Sequence, residues 1–597
     1  MRKKSLLSLL LSGMMIFASI YPASASQFTA KNTNTSNINL SESNDIYKVI
    51  SSTGASSETM HQTVTEGYYQ TPQTAYLTPL QNGNYERLEY TGANIICETY
   101  GSSFKLLKTR KIPFELSTWG GYFSGSEYNY LLFGQSNSSE NDKKEVFRIV
   151  KYDKNWNRIN SCSIKGANTY APFSAGSADM TETNGKLYVH TCHQMYKTED
   201  GYHHQANCTF VINENDMAVD DSYYDIMNLS YGYVSHSLSQ KIATDGNNIY
   251  RADLGDAYPR GIAFSVTNTN NKIYEPHIYQ SIIDIPGNLG VNYTGFTLDS
   301  LKLSENYYVI SGSGITKNNT TPNVYINCGT KESPSSGAVW ITNYKKSNYI
   351  EILQTKLISI NSTQFLLMWE EKNTTKNTYE TKMALLNEDG KLASSIYTSK
   401  LALSLCDPVV NSDGMVVWYV TNNKSPLFIK INPYQLSKVS SATKSLTIFS
   451  NSKSSLIGRT ITISSKKYKI TASGKVTFLG MTKKSSTTLA IPNTVKYSGK
   501  TYKVTSIAKN ACQKQTKLKK VTIGKNITTI GSKSFYNCKN LKNITIKTSK
   551  LTLSKVGSSA FKGTYKKAKF KVPAKKKAVY KKILVKRGAS KKAKFTK

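Results

Sequence analysis

Val504-Thr505-Ser506-Ile507-Ala508-Lys509-Asn510-Ala511-Cys512 returns 23 residues later as Ile527-Thr528-Thr529-Ile530-Gly531-Ser532-Lys533-Ser534-Phe535, and 26 residues after that as Leu553-Ser554-Lys555-Val556-Gly557-Ser558-Ser559-Ala560-Phe561. Between the copies lie two more matching segments, Leu518-Lys519-Lys520-Val521-Thr522-Ile523 and Leu541-Lys542-Asn543-Ile544-Thr545-Ile546. A unit this short cannot cover its own apolar side, so successive units must stack, and the two ends of the stack need caps. The recurring apolar positions are therefore read as core.

Charge marks the same region. From Asn451 to Lys597 there are 39 Lys and Arg and no Asp or Glu. The chain holds 77 basic residues in all; the 38 left outside this region equal its 38 acidic ones, so the formal charge of +39 sits wholly in the last quarter. So abrupt a change in balance reads as a domain boundary.

The repeats resemble the surface-antigen (BspA-like) class of bacterial leucine-rich repeat, with units of the form L-x-x-I-x-I followed by I-x-x-x-A-F-x-x-C. Asn537-Cys538 and the opening strand Leu489-Ala490-Ile491-Pro492 fit the pattern; Cys512 stands where Phe recurs, and three residues are inserted before Val556. The resemblance covers residues 485–575. Tyr468 to Phe478 is expected to be an N-terminal hairpin cap, Ala574 to Val585 a basic helix and Ala593 to Phe595 a last strand. The resemblance implies adhesion or binding at a cell surface.

Upstream, residues 75–440 show a looser repeat. Apolar strand candidates begin near Ile95, Leu131, Leu187, Ile249, Tyr308, Leu366 and Val416, and three follow a turn dipeptide: Asn184-Gly185, Asp245-Gly246 and Asp413-Gly414. The expectation is a mainly β protein with a seven-unit β-propeller-like body followed by a short leucine-rich-repeat domain. A β-sandwich pair is the rival. The expected division is 1–25 signal peptide, 26–74 linker, 75–440 body, 441–484 linker and hairpin cap, 485–575 repeats and 576–597 basic cap.

The first residues, Met1-Arg2-Lys3-Lys4, then an apolar run from Leu6 to Ile20 and Pro22-Ala23-Ser24-Ala25, have the three parts of a secretory signal peptide. The run is too short to span a bilayer, and no later stretch approaches the roughly 20 apolar residues required. The expectation is a secreted chain without a transmembrane anchor, retained at the cell non-covalently or not at all. Eight Cys in 597 residues do not make a disulfide framework. Cys192 and Cys208 flank one hairpin loop, and a cross-strand disulfide between them is expected for a secreted protein, two buried thiols being the alternative.

Five of the seven His fall within residues 190–260, with Asp253-Leu254-Gly255-Asp256-Ala257-Tyr258-Pro259-Arg260 close by. The candidate ligand site comprises His193, His203, His204, His236, Asp253, Asp256, Tyr258 and Arg260. In that reading Arg260 pairs an anionic group, and the carboxylates and His236 hydrogen-bond a sugar or peptide. The competing reading is a structural loop in which the carboxylates cap backbone N–H groups and Arg260 ties one unit to the next. No HExxH or closed Cys/His spacing points to a metal, and no phosphate loop, dinucleotide fingerprint or nucleophile elbow points to a cofactor or to catalysis. The expected partners are anionic wall polymers or host glycans and proteins, with nucleic acid bound only non-specifically for want of interleaved exposed aromatics. A secreted carbohydrate-active hydrolase with a catalytic body is the alternative.

Overall fold

The computed structural model describes residues 46–597 except 57–59, 67, 423–424, 447–459, 473, 484 and 498–499. The expected signal peptide, residues 1–25, lies outside the described residues. The chain forms two compact units, Met1–Ser452 and Lys453–Lys597.

The first unit is built from antiparallel sheets in a propeller-like arrangement. Five have four strands. In chain order they are the first sheet (Ala75–Ile112), the second (Thr118–Lys165), the fourth (Ser300–Trp340), the fifth (Ile350–Ser399) and the sixth, whose chain-consecutive strands run from Val409 to Ile431. The third sheet, Thr169–Asp284, has nine strands. Seven separate units, as the sequence suggested, are thus not found. The segments expected as the third and fourth join edge to edge through Ala206 and Ser235, which pair across adjacent strands.

The strand pattern follows from this stacking. The second strands Asn129–Gly134 and Gln364–Asn373 are sandwiched between neighbouring sheets, and their runs Leu131-Leu132-Phe133 and Phe365 to Trp369 are buried on both faces. Continuous apolar sequence is what two covered faces require. Outer strands such as Arg158–Lys165 meet a neighbour on one side only and alternate between exposed and buried positions. The turn at Asn184-Gly185 has φ of 53° and 70°, the left-handed pair that a two-residue hairpin turn requires.

In each four-stranded sheet the first of the chain-consecutive strands lies innermost, as do Ala178–Thr183 and Ser235–Thr244 of the third sheet, and these strands pack on one another around a centre. Ala178–Thr183 touches Thr118–Ser124 on one side and Ser235–Thr244 on the other; contacts continue through Ser300–Leu303, Ile350–Asn361 and Val409–Val410 to Ala75–Pro79. The Tyr122 amide donates to the Tyr76 hydroxyl at 3.2 Å, linking the second sheet back to the first.

Ring closure uses residues read from the sequence as linker. Tyr47–Ser51 pairs antiparallel with Ser425–Ile431 and supplies the fourth strand of the sixth sheet, which would otherwise end in an open edge. The junction of first and sixth sheets is polar and buried. Arg87 donates to Glu89 at 2.5 Å and to Glu98 at 2.6 Å, and Tyr419 of the sixth sheet donates to Glu89 at 3.1 Å. The Arg87 guanidinium also lies 5.1 Å from the centre of the Tyr419 ring.

In the second unit, Thr488–Ile491, Lys520–Ile523, Asn543–Ile546, Lys569–Lys571 and Lys594–Thr596 form one parallel sheet, each strand a turn of a solenoid. Leu489, Val521, Ile544 and Phe570 point inward, and Phe535 stacks on Phe561 at 5.4 Å. Cys512, in the Phe slot, is buried and accepts the same packing. Gly531 and Gly557 stand where the first copy has Ala508. A Cβ on Gly531 would collide with the backbone of Ala508 and Lys509, so coils after the first need glycine there. The hairpin of Lys466–Ala472 with Lys475–Met481 covers one end of this core, and the helix Lys577–Lys586 buries Tyr580, Ile583 and Leu584 against the other.

Removing the cation at the ring junction leaves two buried carboxylates uncompensated. Arg87→Met is expected to destabilise the first unit by about 3–5 kcal/mol, measured as a lower urea midpoint with unchanged slope; a midpoint equal to wild type would show that the cluster does not hold the ring shut.

Candidate functional site

The strands Lys186–Lys197, His203–Asn213, Ser235–Thr244 and Asn248–Tyr258 carry most of the candidate residues. Asp253 is buried and its carboxylate is filled. The Ser237 hydroxyl donates to Oδ1 at 2.7 Å, and His190 Nε2 and Asn207 Nδ2 reach Oδ2 at 3.0 and 3.1 Å. His190 Nδ1 meets the Thr209 hydroxyl at 2.8 Å, which fixes the ring. Gln240 donates to Ser237 at 2.6 Å and accepts from the Ser177 amide at 2.6 Å, so the network spans four strands. A buried carboxylate with both oxygens engaged inside the sheet fastens strands together.

Arg260 is likewise engaged. Nη1 donates to the carbonyls of Asp256 (3.2 Å) and Val291 (2.8 Å), and Nε and Nη2 share the Pro286 carbonyl at 3.3 and 3.1 Å. The guanidinium pins the loop 286–293, with its donors turned to backbone carbonyls as in the structural-loop reading. Tyr258, in the turn between Asp256 and Arg260, is 57% exposed.

His236 and Asp256 make a pair whose imidazole reaches the surface. Nδ1 of His236 is 2.9 Å from Asp256 Oδ1; the imidazole is about a third exposed, the carboxylate buried, and Asp256 Oδ2 lacks a hydrogen-bond partner. The hydrogen bond to Asp256, reinforced by its charge and opposed by burial, raises the His236 pKa. His236 holds a φ of 55°, a strained setting for a residue with a Cβ.

His193 behaves in the opposite way. It is fully buried, and because the Thr169 hydroxyl gives its proton to the Ala167 carbonyl, His193 Nδ1–H donates to Thr169 at 2.7 Å. Burial, opposed in part by a hydrogen bond with the Tyr224 backbone, pushes its pKa down to about 3. His203 stacks on Tyr170 at 3.8 Å and binds the Met195 carbonyl at 2.9 Å. The exposed His204 lies 2.7 Å from Asp200. The eight candidates therefore do not converge: only His236 and Asp256 form an accessible pair. Among the described residues no group of three or more His, Cys, Asp or Glu could hold a metal.

Cys192 and Cys208 are separate buried thiols. Cys192 pairs with Asn207 and Cys208 with Thr191, a register one residue away from direct opposition, so the two side chains point to opposite faces of the sheet. The disulfide is corrected by that register.

Sequence reasoning missed the innermost strands. Asp179, Lys241, Lys302 and Lys356 lie on them, and Asp407 just precedes Val409–Val410. The available signal was a lone charge set among apolar neighbours a few residues before the turn, as in Ser300-Leu301-Lys302-Leu303.

Residues 505–595 match the BspA type leucine rich repeat region, in six copies. The second unit carries a BspA-type leucine-rich repeat. Solved structures similar to parts of the chain include a leucine rich cell surface protein of Faecalibacterium prausnitzii, 21% identical over 19% of this chain and 37% of that one, with a TM-score of 0.16. A leucine-rich repeat protein of Bacteroides capillosus is 17% identical over 23% of this chain and 99% of its own, at 0.17. An endo-arabinanase of Bacillus licheniformis is 11% identical over 56% and 99%, at 0.26. This chain spans little more than a third of the first of these, and TM-scores so low decide neither fold nor activity. No curated protein matches the chain.

The two histidines predict pH effects of opposite sign. His193 binds its proton less readily folded than unfolded, so it lowers stability as pH falls from about 6.5 towards 3, by up to about 1.4 kcal/mol per pH unit; His193→Gln should flatten acid unfolding in that window. His236 stabilises below about pH 6.5 and loses that contribution as pH rises through its raised folded value. The gap in melting temperature between wild type and His236→Gln should accordingly be wider at pH 6 than at pH 9, and an equal gap would refute the pairing.

Proposed function

We propose that the protein is exported and acts as a cell-surface binding protein, with the second unit gripping anionic polymers of the wall or of host surfaces. What carries the reading is the disposition of its cations. Every described lysine from Lys475 to Lys597 is exposed, and the region has no carboxylate side chain with which to pair. Uncompensated charge on this scale attracts polyanions and repels cations over roughly a Debye length, about 8–10 Å.

The repeat geometry turns that charge into a surface. On the parallel sheet Lys520, Asn543, Lys569 and Lys594 are in register on the outward face, and Lys571 adds a second row beside Thr545 and Thr596. Neighbouring strands are about 4.8 Å apart, so Lys569 and Lys594 are spaced for successive charges of a linear chain. Thr and Asn between them offer hydrogen bonds to hydroxyls. The BspA-type repeat supports a surface role, and among the described residues no helix is long and apolar enough to cross a membrane. Specific nucleic-acid recognition is not part of the reading, since this face presents no aromatic for stacking.

The unit Lys453–Lys597 has its own core, separate from that of the first unit. Produced alone, it should pellet with washed Gram-positive walls at low ionic strength and be released by about 0.5 M salt, where the Debye length has shrunk to a few ångströms. Its remaining in the supernatant at low salt would refute the proposal.

A further inference from the structure

The innermost strands surround a charged centre that the reading of the surface leaves unused. Lys356 pairs with Asp407 at 2.6 Å. Asp179 accepts the amides of Met180 (2.9 Å) and, from the adjacent inner strand, Ile242 (3.2 Å). Asp299 is filled by the Thr355 amide and hydroxyl at 2.9 and 2.8 Å and by Gln70 at 2.9 Å. Every carboxylate here thus has a donor. Two ammonium groups do not have an acceptor: among the described residues Lys241 and Lys302 make no hydrogen bond or ion pair, yet each projects from an inner strand into the electrostatic reach of the other and of Asp179 or Asp299.

The neighbouring elements place these lysines together. Ser239, two residues before Lys241, donates to the Leu298 carbonyl at 3.0 Å, and the Leu357 amide donates to Ser300, two residues before Lys302, at 3.4 Å. Alternation along each strand sends Lys241 towards the fourth sheet and Lys302 towards the fifth. Burial lowers the Lys302 pKa; Asp407 and Asp179 oppose this, and Lys241 and Lys356 add to it. Both side chains are half-buried, so water meets ammonium groups that no protein acceptor reaches, and an anion that displaces that water supplies the missing acceptor.

Described residues of 52–74 cross the ring at the end where the inner strands begin. Ser56 meets Thr421 at 2.5 Å, His61 meets Glu370 at 2.7 Å, Gln354 donates to the Gln62 carbonyl at 3.2 Å, Ser239 donates to Gln70 at 2.8 Å and Trp119 donates to the Gln73 carbonyl at 2.8 Å. Contacts to the sixth, fifth, third and second sheets in turn make these described residues a strap across that end of the ring.

We propose that the central channel of the first unit is a binding site for a small oxyanion, a carboxylate- or phosphate-bearing molecule, held between Lys241 and Lys302. Lys356 is neutralised by Asp407 and completes the wall. The engaged carboxylates set a size limit: an anion that fits must be small or present a single charged end, because a second would face Asp179 or Asp407.

The test is calorimetric titration of the full chain with glucuronate and, separately, inorganic phosphate at low ionic strength, comparing wild type with Lys241→Met and Lys302→Met. The basic second unit is identical in all three, so its contribution cancels. Saturable binding of at least one probe, weakened about tenfold or more by each substitution, is expected; glucuronate alone would assign a carboxylate ligand and phosphate alone a phosphorylated one. Lys302→Met should not lower the melting temperature of the unliganded protein; if it does, Lys302→Gln takes its place in the titration. Equal affinity in wild type and variants, or no saturable binding of either probe to wild type, overturns the proposal.

Discussion

No sheet in this protein can cover its own apolar faces, and both units are organised by that constraint. In the first unit each sheet is covered by its neighbours, which works only if the last sheet meets the first. The pairing of Tyr47–Ser51 with Ser425–Ile431 and the buried Arg87, Glu89, Glu98 and Tyr419 cluster make that meeting. In the second unit coils stack in one direction, so closure is impossible and caps take its place: the hairpin at one end, the helix Lys577–Lys586 at the other. The same apolar debt is met by a ring in one case and by end pieces in the other.

Where sequence and structure agree, the signal was local and periodic. The repeat from Val504 to Phe561 could be read because buried Ile, Val and Phe recur at fixed offsets, and Asn184-Gly185 could be read because few other dipeptides tolerate two left-handed residues in succession. Where they differ, the deciding contact lay far off in sequence. Nothing in Tyr47-Lys48-Val49-Ile50-Ser51 announces a partner some 380 residues away. Nor does spacing reveal that Ala206 meets Ser235 and fuses two expected units, or that Cys192 and Cys208 fall one residue out of register.

The candidate site shows the same limit in chemical form. Clustered His, Asp and Arg looked like a ligand site because polar residues cost free energy to bury. The structure satisfies Asp253 and Arg260 internally, as strand fasteners and a loop pin, so their polarity serves the fold. The inner-strand lysines were harder to notice because they lie on separate strands far apart in sequence, and their significance arises only when the ring brings them together.

With apolar faces consumed by packing, what remains outside determines what the second unit meets, and its outside is lysine with threonine and asparagine between. The electrically balanced first unit provides a built-in reference. The most direct measurement is therefore the affinity of the full chain for teichoic-acid-bearing walls as a function of salt, beside a chain ending at residue 452. The account predicts a steep decline in affinity as salt rises and no binding by the shortened chain. Salt-independent affinity, or equal binding by the shortened chain, would contradict it.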